Sequence, residues 1–442
     1  MTPPVDDAPV PSSRGSSFPL SRDTWDVVVV GAGPAGLMAA SGAARRGHAT
    51  LLLERNPEPG VKILISGGGH CNLTHDGDAR AIAEAFGPSG RFLRSALATL
   101  EPAALVEMMA QEGVSCRTEP GGKILPASDE AGDVLAALLR IFVRSGATLA
   151  TSQTVAEIAH DADGFRVTTQ DGVIRARRVV LTTGGRSYPG CGTTGDGYRW
   201  AESLGHTVVT PRPALVPITV EADWVKSLQG ITVPDVLVRV VAPAESSAPV
   251  GSSPRRAAPM AQRRGSLLFA HFGLSGPVAL DVSRQVSATS RGRRPELVCD
   301  FLPEMSDEQL VAALAEPAAG EGRRTVASLP GQWLPSRLVE TLCRLADVPK
   351  DRRLAELARG ERARLVEALK HQVVPTVGTL GFEKAEVTAG GVALDEVDSR
   401  NMQSKLVPGL YFAGELLDVD GPIGGYNLQA AFSTGHLAGQ SM

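Results

Sequence analysis

Cysteine is scarce and scattered. Cys71, Cys116, Cys191, Cys299 and Cys343 are five in number, and no two form a CxxC pair. An odd, dispersed set argues for a reducing compartment rather than a disulfide framework. Long apolar runs are also missing: even DVLAALLRIFV is broken by Arg140, so no window reaches the roughly 18 uninterrupted apolar residues of a membrane helix. Neither sign of charge dominates, and a formal charge of -4 gives no general attraction to nucleic acid or an anionic membrane. The small basic clusters, Arg255-Arg256, Arg263-Arg264 and Arg291 to Arg294, sit among Ala, Pro, Ser and Gly and read as solvated loop tips. No internal repeat of solenoid period is present. The first twenty residues are Pro and Ser rich without the apolar core of a signal peptide, so 1–22 reads as a disordered leader and the protein as cytoplasmic.

What is present is an ordinary soluble composition, 43% hydrophobic and 21% charged, on a chain of 442 residues. That length calls for two or three domains of about 100 to 200 residues each. DVVVV at 26–30 is the continuous β-branched run of a strand buried on both faces. Helical spacing follows from Pro34 to Arg46, and ATLLLE supplies a second strand. The segment 133–146 reads as a helix. Beyond it, alternating strands with Asp-Gly turns form a small antiparallel meander returning to a buried strand at Val179 to Thr183. Short β-like pieces separated by Pro, Ser and Gly fill 211–303, with a polar mobile loop expected at 243–265. Amphipathic helical pattern fills 304–373. Strand-like pieces resume at 374–395, and 396–442 closes as strand, glycine loop and helix.

Gly31-Ala32-Gly33-Pro34-Ala35-Gly36 follows the first strand and opens the first helix, and Glu54 ends the next strand. That context is what a dinucleotide fingerprint requires. Gly31 permits the tight turn, Gly33 lets the backbone reach a pyrophosphate, and Gly36 lets the helix lie close to the strand. The helix N-terminus offers its N–H groups to phosphate, and Glu54 is expected to accept ribose hydroxyls. A second match, Gly190-Cys191-Gly192-Thr193-Thr194-Gly195, lacks a preceding strand and a following acid. It reads as a loop against a bound group, so no separate NAD(P)H domain is expected.

SGGGHCNLTH at 66–75 carries two readings. Its glycines invite close approach to something flat or anionic, while His70, Cys71 and His75 invite a metal. The eight histidines are otherwise dispersed and no second cluster completes a ligand set, so no metal is expected.

Taken together, GAGPAG, KILISGGGHCNLTH, TTGGRSYPGCGTTGDGY and GLYFAGELLDVDGPIGGYNLQAAFSTG resemble the BaiN-like and aminoacetone-oxidase family of NAD(P)/FAD-dependent oxidoreductases, from about residue 25 to the C-terminus. The resemblance implies an α/β fold: a Rossmann-like FAD-binding domain built from both chain ends (23–210 and 396–442), interrupted by a β-barrel-like domain (211–303, returning at 374–395) that carries a helical insertion (304–373). It implies FAD contacts from Gly31, Ala32, Gly33, Pro34, Ala35 and Gly36, from Glu54 with Arg55, and from Lys62 and Ser66. Val155 would meet adenine, and Gly414, Glu415, Asp418, Gly424, Gly425, Tyr426, Asn427 and Leu428 form the C-terminal flavin motif. Gly67, Gly68, Gly69, Cys71 and Asn72 would approach the ring, with Thr183, Gly184, Gly185 and Asp196 as further contacts. Relatives usually carry Arg where His70 stands and often Arg where Val61 stands, which leaves the substrate open.

Flavin needs to be bound, tuned and exposed to substrate on one face. The helix starting near Asn427 would stabilise charge on the reduced ring. His70, Asn72, Tyr188 and Tyr426 are the candidates for catalysis. Cys71 reads as a cysteine packed against the ring, with covalent linkage or redox chemistry as alternatives. The expected activity is reduction of an activated C=C or C=O in a small organic substrate, with NADH or NADPH as a transient donor. Oxidation of an amine by O2 is the alternative, and a tRNA-modifying flavoprotein or a non-catalytic redox sensor represents another class. No nucleic acid or membrane partner is expected, and the oligomeric state is open.

Overall fold

The computed structural model describes residues 24–242, 258–289, 294–315 and 324–442. The expected leader at 1–22, the first part of the 243–265 loop with Arg255 and Arg256, and Arg291 and Arg293 lie outside those residues. From Ala261 on, the described remainder of that loop is a strand. Arg263 and Arg264 belong to Ala261–Ala270, which pairs antiparallel with Thr232–Val241. Both nitrogens facing Asp235 from Arg264 lie 2.7 Å from its carboxylate. Cross-strand pairing and this bidentate ion pair carry the polar residues into the sheet.

The first strand, Trp25–Val30, lies between Thr50–Leu53 and Gly172–Leu181, parallel to both. Thr148–Ala150 and Leu410–Phe412 extend the parallel part, the latter pairing with Gly172–Leu181. The Asp-Gly hairpins add Val155–Asp161 and Gly164–Thr169 antiparallel at one side. Val27 to Val29 are fully buried, as a run apolar on both faces requires. Two helices, Pro34–Arg45 and the last helix Tyr426–Gln440, pack backbone to backbone. A methyl on Gly435 would sit 2.2 Å from the Ala35 carbonyl oxygen, and one on Gly439 would sit 2.6 Å from that of Ala39. Small residues on both faces thus join the two ends of the chain into one Rossmann-like unit.

A second, antiparallel sheet has the order Gln372–Pro375, Glu296–Asp300, Thr232–Val241, Ala261–Ala270, Gly273–Ser275, Ile218–Thr219, Gly378–Thr379. Its two end strands are separated in sequence only by Thr376 and Val377, so the sheet has to curl round on itself. The helices Asp307–Ala315, Ser336–Leu345 and Arg359–Lys370 share one buried cluster with this sheet. The segment Pro277–Ala288, inside the stretch expected to be β, is instead a helix that packs there too; Gly276 before Pro277 is the start signal available in the sequence. Val208–Ala214 pairs with Val387–Val392 as a separate ribbon. The expected boundaries at 210/211 and 373/374 therefore fall inside strands. No helix among the described residues is long and apolar enough to cross a membrane.

Candidate active site

The turn from first strand to first helix has three differently used glycines. Gly31 has φ +103°, and a side chain there would meet the Thr182 carbonyl at 2.7 Å. A methyl on Gly36 would lie 1.8 Å from the Gly31 oxygen, whereas one on Gly33 would meet nothing within 4 Å. The space beside Gly33 belongs to a cavity of about 390 Å³, within the range of ligand sites.

Residues from both chain ends line it: Gly31, Gly33, Pro34, Ala35, Glu54, Arg55, Lys62, Ser66, Gly67, Gly68, Asn72, Val155, Thr183, Gly184, Tyr188, Asp196, Gly414, Glu415, Gly424, Gly425, Asn427 and Leu428. Asn56, Gln153, Leu215, Glu386, Val387 and Ile423 line it too, beyond the residues expected from the sequence. Gln153 and Asn56 follow strand ends, a usable signal. The other four come from the inserted part and the last loop, with no local pattern to mark them.

Eight expected residues face elsewhere. The Ala32 N–H donates to Glu54 Oε2 at 2.8 Å, and Gly36 is pressed against Gly31. Gly69 ends the glycine turn outside the cavity lining, and Gly185 packs against Thr388 and Glu415. His70 turns outward, its Nδ1 3.1 Å from the Asp129 carbonyl. Cys71 has left-handed backbone (φ 57°), which sends its thiol into the core, where it is fully buried. Asp418 lies behind the cavity, its carboxyl pushed up by burial. The Tyr426 ring stacks on His75 at 4.5 Å between centroids. His70 and Cys71 thus point apart, and among the described residues no three His, Cys, Asp or Glu side chains converge as metal ligands.

Glu54 and Arg55 fix the second wall. Glu54 Oε1 accepts from the Asn56 N–H at 2.9 Å, so its carboxylate also holds the strand end in shape. Arg55 reaches Asp196 at 3.0 Å and the Thr194 hydroxyl at 2.6 Å, tying down the second glycine loop, whose Asn56 contact is the Cys191 carbonyl at 3.0 Å. Asp196 itself begins the helix Asp196–Ser203. Lys62 Nζ donates to Glu415 at 2.6 Å and to Ser187 Oγ at 2.7 Å; Ser187 Oγ in turn donates to Glu415 Oε1 at 2.7 Å. The Thr388 N–H donates to the same carboxylate at 2.8 Å, locking the ribbon to this wall of the cavity.

These residues fit an FAD. The first and last helices both start at the cavity without a side-chain cap, leaving N–H groups for a pyrophosphate at one end and a ring anion at the other. Gln153 Oε1 and Thr183 Oγ1, on the lining, are buried without a hydrogen-bond partner among the described residues, a state a polar ligand would relieve. Gly68 has φ +72°, and a Cβ placed on it would meet nothing within 4 Å, so its backbone is again open to a ligand.

A family model described as the HI0933-like protein Rossmann domain matches residues 25–441. The chain belongs to the HI0933-like family. The family is one of FAD-dependent oxidoreductases, and this member is an enzyme of that class. The HI0933-like chain is 32% identical over 95% of its length, and 98% of the relative's, to the protein named ribosomal RNA dihydrouridine synthase of Escherichia coli. It is 31% identical to the 3-dehydro-bile acid delta(4,6)-reductase of Clostridium scindens, over 93% of this chain and 98% of that one. Among solved structures, 3-ketosteroid delta1-dehydrogenase from Sterolibacterium denitrificans aligns with a TM-score of 0.48 at 14% identity, covering 95% of this chain and 99% of that one.

The cysteines give a direct check of the site's walls. Burial lifts the Cys71 thiol to about 11, so its thiolate fraction near neutral pH is roughly 100-fold below that of a free cysteine. Cys191 is half-buried and lines the cavity. Iodoacetamide followed by peptide mass mapping is expected to label Cys191 and spare Cys71, with added FAD protecting Cys191. Rapid labelling of Cys71 in the folded protein would contradict the core placement.

Proposed function

We propose that this HI0933-like enzyme is an NAD(P)H-linked reductase that saturates a C=C bond conjugated to a carbonyl. The observation that carries the reading is the far end of the cavity. There Leu215, Val387 and Ile423 line the cavity and belong to one apolar cluster, a wall suited to a flat, conjugated, uncharged ring system. FAD, when bound, supplies hydride exchange between the donor and the substrate carbon. The chain's own contribution is to anchor the pyrophosphate at Gly33, to meet negative charge with the N–H groups after Gly425, and to keep water from the reacting end. The names of both relatives describe loss of a C=C bond: dihydrouridine is uridine with its C5=C6 bond saturated, and that bond is conjugated to a carbonyl just as an enone's is.

A small free substrate without a nucleic-acid partner is the first reading, in line with a formal charge of -4. A uridine within ribosomal RNA is the second, favoured by the relative at 32% identity. Anaerobic stopped-flow separates these. NADH or NADPH should bleach the flavin, and re-oxidation is then timed with steroid-type enones, with a uridine-containing RNA and with O2. Fast re-oxidation by RNA alone selects the second reading. Rapid O2 turnover with amines and no bleaching by either nicotinamide overturns the reductase and restores the amine oxidase.

A further inference from the structure

We infer that Glu386 is the acid that protonates the substrate's α-carbon while hydride is delivered to the β-carbon. The inference rests on the reductase reading above. Saturating the conjugated bond consumes one hydride, which NAD(P)H supplies through the cofactor as it becomes NAD(P)+, and one proton. The Glu386 O–H bond breaks, a C–H bond forms at the α-carbon, and the carboxylate left behind regains its proton from solvent. Atoms and charge balance without another reactant.

Position singles this residue out. Four carboxyls among the described residues have their pKa pushed above the ordinary carboxylate range, chiefly by burial: Asp281, Glu386, Asp418 and Asp420. Of these only Glu386 lines the cavity. The other three are already occupied. Asp281 Oδ1 accepts from the Ile423 N–H at 2.8 Å, Asp420 pairs with Arg284 at 3.3 Å, and Asp418 accepts from the Gly390 N–H. The Glu386 carboxyl interacts with its surroundings only through space, with no hydrogen bond to a described residue. It stands immediately before the strand Val387–Val392, beside the apolar wall.

Its neighbours tie it to the start of the last helix. Lys62, from the short helix Val61–Ile65, and Lys123, from the strand Lys123–Pro126, pull its pKa down, while Asp281, from the helix Pro277–Ala288, pushes it up, and Tyr188 feels its charge from the loop opposite. Lys123 Cγ lies 3.4 Å from where a Cβ on Gly424 would stand, at the start of the last helix. Two cations thus act on Glu386 through space, yet burial outweighs them, which keeps it an acid at pH values where an exposed glutamate has ionised. The two lysines then serve the carboxylate that remains after proton transfer.

The test uses FAD-loaded wild type, E386Q, E386D and Y188F. Each is bleached anaerobically with NADPH and then re-oxidised by the substrate that re-oxidises wild type. E386Q should keep its flavin spectrum and lose about 10²–10⁴-fold in the re-oxidation rate, with E386D partly recovered. In wild type that rate should fall as pH rises through the raised Glu386 pKa, and E386Q should lack this step. Infrared difference spectra of the flavin-free protein give an independent readout: a protonated-carboxyl band that persists to higher pH than an ordinary glutamate's and that E386Q removes. Re-oxidation of E386Q at the wild-type rate, or its loss in Y188F alone, overturns the assignment. If no conjugated substrate re-oxidises wild type, the reductase reading falls and this role with it, whatever the infrared band shows.

Discussion

Gly33→Val should yield a folded, colourless protein. Gly33 has ordinary backbone (φ -79°), and a side chain there touches nothing within 4 Å, so the chain itself has room for valine. That room is the cavity, at the uncapped start of the first helix. Two methyl groups would occupy the place where a pyrophosphate has to meet the backbone. FAD binding should weaken at least about 1,000-fold, roughly 4 kcal/mol, with a denaturation midpoint close to that of flavin-free wild type. Gly36→Val is the contrasting case. Its Cβ would lie 1.8 Å from the Gly31 oxygen and 2.8 Å from Thr182 Oγ1, an overpacking that costs about 3 kcal/mol or more. Flavin titration together with urea unfolding separates the two. A yellow Gly33→Val protein of normal affinity would remove the cofactor from this turn.

Asp300→Ala should be the most damaging single change in the inserted part. Lys370 is 3% exposed, and its ammonium lies 2.7 Å from Asp300 and 2.6 Å from the Leu302 carbonyl oxygen, with the Met305 oxygen also in contact. Removing the carboxylate leaves a buried cation held only by neutral acceptors and frees the Leu302 N–H, which Asp300 Oδ1 accepts at 2.9 Å. The expected loss is about 3–5 kcal/mol, read as a lowered urea midpoint. An apolar pair, Asp300→Leu with Lys370→Met, should recover most of it, because a buried ion pair and a well-packed apolar pair are often near equal in net stability. Equal instability of single and double variants would show that the pair's charge is not what matters.

Much of the cofactor side was legible because it is written locally. The run 26–30, the glycines after it and Glu54 encode a strand, a turn and a strand end within one βαβ unit, and each keeps that conformation wherever the unit is placed. The Asp-Gly pairs set the hairpins at Asp163-Gly164 and Asp171-Gly172 in the same way. The run 66–75 shows where local reading stops. Gly67 and Gly68 do line the cavity, but the left-handed backbone at Cys71 buries the thiol and carries His70 to the surface beside Asp129. Composition at those positions could not reveal direction.

Sequence alone determined a nucleotide-binding βαβ unit near the N-terminus, because periodicity, glycine placement and turn chemistry act over a few residues. That the C-terminal strand and helix join it was only implied by the family resemblance, and the packing of Gly435 and Gly439 on the first helix carries it out. Only tertiary structure decided which distant residues line the cavity. Leu215, Glu386 and Ile423 come from three distant segments, and Asp281 and Lys123 from two more. They meet because the ribbon Val208–Ala214 with Val387–Val392 is locked to the FAD-side wall through Glu415. Long-range packing determines which side chains share a cavity and which carboxyl lines it without a hydrogen-bond partner among the described residues, and no local pattern encodes it.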